Sequence, residues 1–279
     1  MLRKILVISF ISLLIFSEGF CENNHFPSLL TNDRAQKEDK KEEIFRKEVD
    51  SETICQPVNY SVGNQQVTGL LVYPNKPGIT NFPGILFLQP SEENVLANKN
   101  HLKELAKKGY AVFCGPWKDH VDSVEAFDQL YRHPRTDPTA VGIMGIHDGG
   151  TEAIFLAIKK RREVKVLITM AGRPPYDLPG GDPASLIWAY TLVMHGENDL
   201  ILPPSVSQFF YYNLLDKERV AQYVSIPFAE HYYNEADWQK ITEEADRFLK
   251  QYIRYQPDEE EIKSFRDERA APPKPIIYK

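Results

Sequence analysis

The sequence predicts an α/β protein with a mostly parallel central sheet, flanked by helices on both faces and opened by an antiparallel hairpin. Three observations predict it. Short β-rich apolar runs alternate with longer segments whose apolar residues recur at helical spacing, the pattern of strand–helix–strand units. Several of these runs, Ile85-Leu86-Phe87-Leu88 above all, are apolar without interruption, as strands buried on both faces must be. The 279 residues are 42% hydrophobic and 26% charged, enough to build a packed core, which excludes fully disordered and polytopic membrane classes.

Val58 to Val62 and Val67 to Val72 are β-rich runs on either side of Gly63-Asn64 and predict the opening hairpin. Ile85 to Leu88 is the first two-sided strand. Leu102, Leu105 and Ala106 then share one helix face, and Gly109 is placed to end that helix as a left-handed cap. Ala111 to Cys114 is a short strand, and Val124, Phe127, Leu130 and Tyr131 mark the next helix. The strand Val141 to Ile146 leads into a helix carrying Ala153, Ile154, Ala157 and Ile158 on one side. Strands at Val164 to Met170, Thr191 to Met194 and Val220 to Ile226, with helices at Pro204 to Leu215 and Ala236 to Ile253, complete the series.

The two ends differ from this middle. Arg3 and Lys4 precede an apolar run from Ile5 to Phe16 and then the small residues Ser17 and Gly19, so residues 1–21 are expected to be a secretory signal peptide and the protein to be exported. The run is too short for a comfortable bilayer span, and no stable membrane insertion is expected after cleavage. Thirteen of the eighteen residues from Asp33 to Asp50 are charged with mixed signs, which makes 22–50 a solvated linker. Residues 256–279 run through Asp258-Glu259-Glu260-Glu261 to Pro272-Pro273-Lys274-Pro275, a polar, proline-containing tail. That leaves 51–255 as one domain. The net charge of −6 offers no basic field for a nucleic-acid backbone, so nucleic-acid binding is disfavoured. Cys55 and Cys114 could pair in an oxidising compartment if the fold brings them close enough.

Three strand ends carry residues competent for chemistry. Gly145-Ile146-His147-Asp148-Gly149-Gly150 places glycines two before and two after His147 where an apolar strand turns into a helix. That spacing is what a nucleophile elbow needs, because the central residue is strained and only small neighbours let the backbone pass. The second is His195-Gly196-Glu197-Asn198-Asp199, and the third is Phe228-Ala229-Glu230-His231. Elbow residue, then acid, then histidine is the chain order of one known hydrolytic triad. The glycines at 145–150 lack the spacing and acidic partner of a dinucleotide site, so no cofactor is indicated.

On these motifs the span from Val58 to Ile253 resembles the dienelactone hydrolase family of α/β-hydrolases. The matching pieces are the hairpin, Leu105-Ala106-Lys107-Lys108-Gly109-Tyr110-Ala111-Val112, Asp137-Pro138-Thr139-Ala140-Val141-Gly142-Ile143-Met144-Gly145, the double glycine, the turn ending in Asp199, and His231. The resemblance implies hydrolysis of small esters or lactones, with Asp199 orienting His231 as general base. It also implies a Ser or Cys nucleophile, and here the elbow holds His147. Relatives take an oxyanion donor from the loop after the Ile85 to Leu88 strand. Here that loop reads Gln89-Pro90-Ser91, and proline has no N–H to give. Gln89, Ser91 and Asp148 are the candidate oxyanion and pocket residues.

Three readings of a histidine at the elbow stand side by side. His147 acts as a nucleophile, or with His231 as a base toward water. Alternatively His147 and His231 hold a metal ion that assists hydrolysis. Or the scaffold has lost acyl-enzyme chemistry, its triad degenerate, and binds a ligand or partner.

Overall fold

The computed structural model describes residues 46–91, 93–177 and 181–254. The expected signal peptide, most of the expected linker and the whole expected tail lie outside the described residues. The strands are β1 (Glu48–Val49), β2 (Thr53–Val62), β3 (Gln65–Pro74), β4 (Phe82–Leu88), β5 (Ala111–Cys114), β6 (Thr136–Ile146), β7 (Val164–Met170), β8 (Tyr190–Gly196) and β9 (Ala221–Ile226). The helices are α1 (Lys99–Lys108), α2 (His120–Arg132), α3 (Asp148–Lys159), α4 (Pro183–Leu186), α5 (Pro204–Asp216) and α6 (Glu235–Tyr252).

The strands form one sheet in the order β1-β2-β3-β5-β4-β6-β7-β8-β9. Pairing is antiparallel from β1 through β3 to β5 and parallel from β5 through β4 to β9. The expected hairpin is present, closed by two residues with Gly63 at a φ of 55°.

Period-two alternation sends successive side chains to opposite faces, and in the central strands both faces are dry. Leu70, Val72, Ile85, Phe87, Val112 and Cys114 join one cluster, which α1 covers with Leu102 and Leu105 and α6 with Trp238, Ile241, Phe248 and Leu249. Their neighbours Leu71, Tyr73, Leu86, Leu88, Ala111 and Phe113 join the other, against Phe127 and Leu130 of α2, Ile154 and Leu156 of α3, and Phe210 and Leu214 of α5. All seven residues of β4 are buried. Each large apolar side chain taken out of water there stabilises the fold by about 1.5–3 kcal/mol.

Local chemistry fixes where the helices begin and end. Gly109 takes the left-handed conformation at φ 115° and its N–H bonds Ala106 O at 2.9 Å, closing α1. The Asp119 carboxylate accepts from Val121 N at 2.8 Å to open α2. Asn234 and Asp237 form a reciprocal capping box at the start of α6.

Three features depart from expectation. β1 falls inside the charged stretch 22–50, where Glu48 and Asp50 pair with Lys99 and Lys103 of α1. β6 begins five residues earlier than expected, because Pro138 sits in a bulge where the register with β4 jumps from Pro83↔Asp137 to Gly84↔Val141. Cys55 and Cys114 are both free and buried, and the Cys114 thiol bonds Gln89 Oε1 at 2.9 Å.

Candidate active site at the strand ends

Between the last residue of β6 and the first of α3 stands His147, at φ 54° and ψ −119°. A non-glycine residue held there costs on the order of 1–3 kcal/mol, so the surroundings must over-determine it. They do. His147 N–H bonds Met170 O at 2.9 Å, and Thr151 N–H bonds His147 O at 3.1 Å. The flanking glycines are sterically required: a Cβ on Gly145 would fall within 3.0 Å of Gly149 O, and one on Gly149 within 3.0 Å of Leu88 O.

His231, in the turn after β9, lies directly beside it. The two imidazoles stack with centroids 4.0 Å apart and planes 15° from parallel. They do not hydrogen-bond ring to ring. His147 Nε2 meets the main-chain oxygen of His231 at 2.7 Å, and because a carbonyl only accepts, that nitrogen carries the proton. His231 Nδ1 lies 2.8 Å from Asp199 Oδ2 and donates to it. The nitrogens left without a partner among the described residues are therefore His147 Nδ1 and His231 Nε2, one on each of the stacked rings. The tautomer of His147 is thus set by a backbone atom of His231 and not by its ring.

Asp199 is fully buried and densely solvated by the protein. Its Oδ1 accepts from Ile201 N at 2.9 Å and Leu202 N at 2.8 Å. Its Oδ2 is shared by His231 and by His195, whose Nε2 lies 3.0 Å away. Burial pushes the carboxyl upward, but the bonds from His231 and the two N–H groups outweigh it and hold it below the ordinary carboxylate value of 3.8. His195 also contacts Leu202 O at 2.8 Å and Ser207 Oγ at 2.6 Å. The one sequence signal for this role of His195 is its place four residues before Asp199 at the end of a strand.

A cavity of about 420 Å³ opens over the elbow, lined by Pro90, Glu93, His147, Asp148, Thr151, Ala171, Arg173, Leu202, His231 and Tyr232. Gln89 and Ser91 are not among its walls. The Gln89 side chain is buried and donates to Glu93 O at 2.6 Å. Ser91 turns both its N–H, at 3.0 Å, and its hydroxyl, at 2.6 Å, onto Asp148 Oδ2. Of the aromatic residues near the strand ends, Tyr232 lines the cavity, edge-on to both imidazoles. No group of three His, Cys, Asp or Glu side chains among the described residues is placed to hold a metal ion. Both oxygens of Asp199 are already spent, so that acid has no lone pair directed at a cation.

Burial lowers the His147 pKa below the ordinary 6.5, opposed by the bond to the His231 carbonyl. Above about pH 6.5 the ring is neutral in folded and unfolded chains alike, and below it the unfolded chain takes up the proton first. Stability is therefore lost as pH falls. Urea midpoints should drop between about pH 7.5 and pH 5, and His147→Gln should make that drop shallower, although His101 and His133, also lowered by burial, keep part of it. An unchanged slope in the variant would show that His147 is not one of the groups responsible.

No protein-family model matches the chain, and no curated protein matches it in sequence. Solved structures match in fold. Dienelactone hydrolase from Anabaena variabilis is 23% identical with a TM-score of 0.59, over 71% of this chain and 100% of that one. A dienelactone hydrolase-like promiscuous phosphotriesterase from metagenomic libraries is 16% identical with a TM-score of 0.64, over 72% of this chain and 99% of that one. The Pyrococcus horikoshii acylaminoacyl peptidase is 14% identical with a TM-score of 0.63, over 75% of this chain and 43% of that one, so this chain spans less than half of the peptidase. The fold is thus the α/β-hydrolase fold in the form that dienelactone hydrolase-like proteins adopt.

Proposed function

We propose that the protein is an exported hydrolase of small esters or lactones that activates water between two neutral imidazoles instead of forming an acyl-enzyme on oxygen or sulfur. The observation that carries this reading is the pair of nitrogens His147 Nδ1 and His231 Nε2, without partners among the described residues, on rings 4.0 Å apart with Asp199 behind the second. Water donates one hydrogen to each. As it attacks the substrate carbonyl, His231 takes the proton through Nε2 and Asp199 stabilises the imidazolium that forms. The tetrahedral oxyanion faces the Asp148 N–H at the start of α3, a donor that no described residue occupies. Collapse expels the alcohol, which leaves with the proton from His231, so water and ester become acid and alcohol. The name of the dienelactone hydrolase neighbour supports a lactone or related carbonyl ester as the substrate class.

The full-length protein should cleave a short-chain aryl ester above the buffer rate, with no initial burst of released phenol. His147→Ser places a hydroxyl at the elbow and should introduce a burst matching the enzyme concentration. No turnover by the unmodified protein across neutral and mildly alkaline pH would reject the hydrolase reading, and a burst without the substitution would reject water activation. A second reading, a ligand- or partner-binding module without turnover, is favoured by Pro90, which lacks an N–H, and by the engagement of the Ser91 N–H with Asp148.

A further inference from the structure

We propose that Asp148 holds the second oxyanion donor of this pocket shut, and that this side chain sets how much negative charge the site can stabilise during a reaction. The turnover part of this inference rests on the hydrolase reading above; the binding part does not.

In a tight strand-to-helix turn the residue after the elbow offers its N–H to the cavity, and a second N–H from the loop after β4 completes a pair of donors aimed at one oxygen. In the loop Gln89-Pro90-Ser91, the Gln89 side chain is tied inward and Pro90 has nothing to donate. Ser91 has its N–H directed at the elbow. What it meets there is Asp148 Oδ2 at 3.0 Å, and its hydroxyl converges on the same oxygen at 2.6 Å. The other carboxylate oxygen, Oδ1, accepts from Gly149 N at 3.1 Å. One carboxylate thus gathers three donors, the N–H and hydroxyl of Ser91 from the loop after β4 and the N–H of Gly149 from the start of α3.

Two costs to a developing oxyanion follow. The Ser91 N–H is spent before substrate arrives, and removing one such donor typically lowers kcat by about 10²–10³-fold. A fixed carboxylate also stands beside the charge that must form, with only Arg173 among the cavity walls to offset it. Asp148 acts through Ser91, so it is a positioning residue, and one that works against acyl transfer. The same contact explains how a pocket can keep a hydrolase scaffold and a complete acid–histidine pair while restricting which substrates turn over: those whose leaving group departs readily need the least help at the carbonyl oxygen.

The test compares the full-length protein with Asp148→Ala and Asp148→Asn. Two quantities are read: kcat and KM for an aryl acetate, and calorimetric binding of methylphosphonate, a tetrahedral anion that mimics the intermediate. Asp148→Ala releases Ser91 and should raise kcat about 10- to 100-fold with KM little changed. It should also bind methylphosphonate at least about tenfold more tightly than the unmodified protein. Asp148→Asn removes the charge but keeps an amide oxygen that the Ser91 N–H can still reach, so its gains should be much smaller. Equal gains in the two variants would assign the effect to charge alone and overturn the proposal, as would identical kcat and binding in the unmodified protein and Asp148→Ala. Were neither protein to turn over substrate while Asp148→Ala alone took up the anion, the hydrolase reading would fall and the closed donor would stand. A purely structural role for Asp148 would lower thermal stability without raising either quantity.

Discussion

Replacing His231 with alanine should lower ester turnover by about 10²- to 10⁴-fold, the contribution a positioned general base makes. The chain should fold all the same. The main-chain oxygen of residue 231 remains to receive the Nε2–H of His147, so the elbow ring keeps its tautomer. Asp199 loses one partner but keeps the His195 Nε2 and the N–H groups of Ile201 and Leu202, so no buried carboxylate is left bare. The two measurements are steady-state kinetics on an aryl acetate and a thermal melt by circular dichroism. A large fall in kcat with a nearly unchanged melt supports His231 as the base. Turnover that survives the substitution would sink the mechanism, whatever else in the cavity proved important.

The second large effect is on stability. Gly149→Ala puts a methyl group within 3.0 Å of Leu88 O and Gln89 O, where the obstacles are backbone atoms at the end of the buried β4 strand and not flexible side-chain ends. Neither β4 nor α3 can retreat without breaking the packing on its other side. Overpacking of this kind costs about 1–3 kcal/mol or more, and for a chain of this length each kcal/mol lowers Tm by about 2–4 °C, so a drop approaching 10 °C is expected. Gly78→Ala is the control. Its φ of 84° disfavours alanine, yet nothing lies within 4 Å of the added Cβ, so its cost should stay near 1 kcal/mol, about the price of backbone strain alone. Equal losses in the two variants would show that the close approach of α3 to β4 is looser than the geometry requires.

Much of this architecture is written in local patterns. β5 and β7 have the bounds that their apolar runs mark, and the hairpin follows from β-rich segments around Gly63-Asn64. Elements without such a pattern were not legible. β1 is a two-residue, exposed edge strand among charges, and α4 is four residues long, too short to show a helical period. The bulge at Pro138 hid the start of β6, because a proline followed by a threonine in a sequence looks like a turn.

At the site, residue types and chain order marked His147, Asp199 and His231, and the fold places those three side chains together. What could not be read is how they touch. The approach of His147 to a carbonyl depends on where the backbone of residue 231 passes, and no side-chain pattern records that. The sharing of Asp199 by His195, and the reach of Asp148 to Ser91, likewise come from loops closing in space.

The strand order has a consequence for how the chain is made. β3 and β4 follow one another in sequence, yet β5 lies between them, and the far edge of β4 is taken by β6. A nascent chain that has exposed residues 46–108 to solvent therefore holds a finished hairpin and, next to it, a largely apolar segment whose two lateral partners have not yet emerged. Ribosome release at that stage should yield a sticky fragment; extension past Ile146 supplies both missing neighbours and lets the centre of the sheet close.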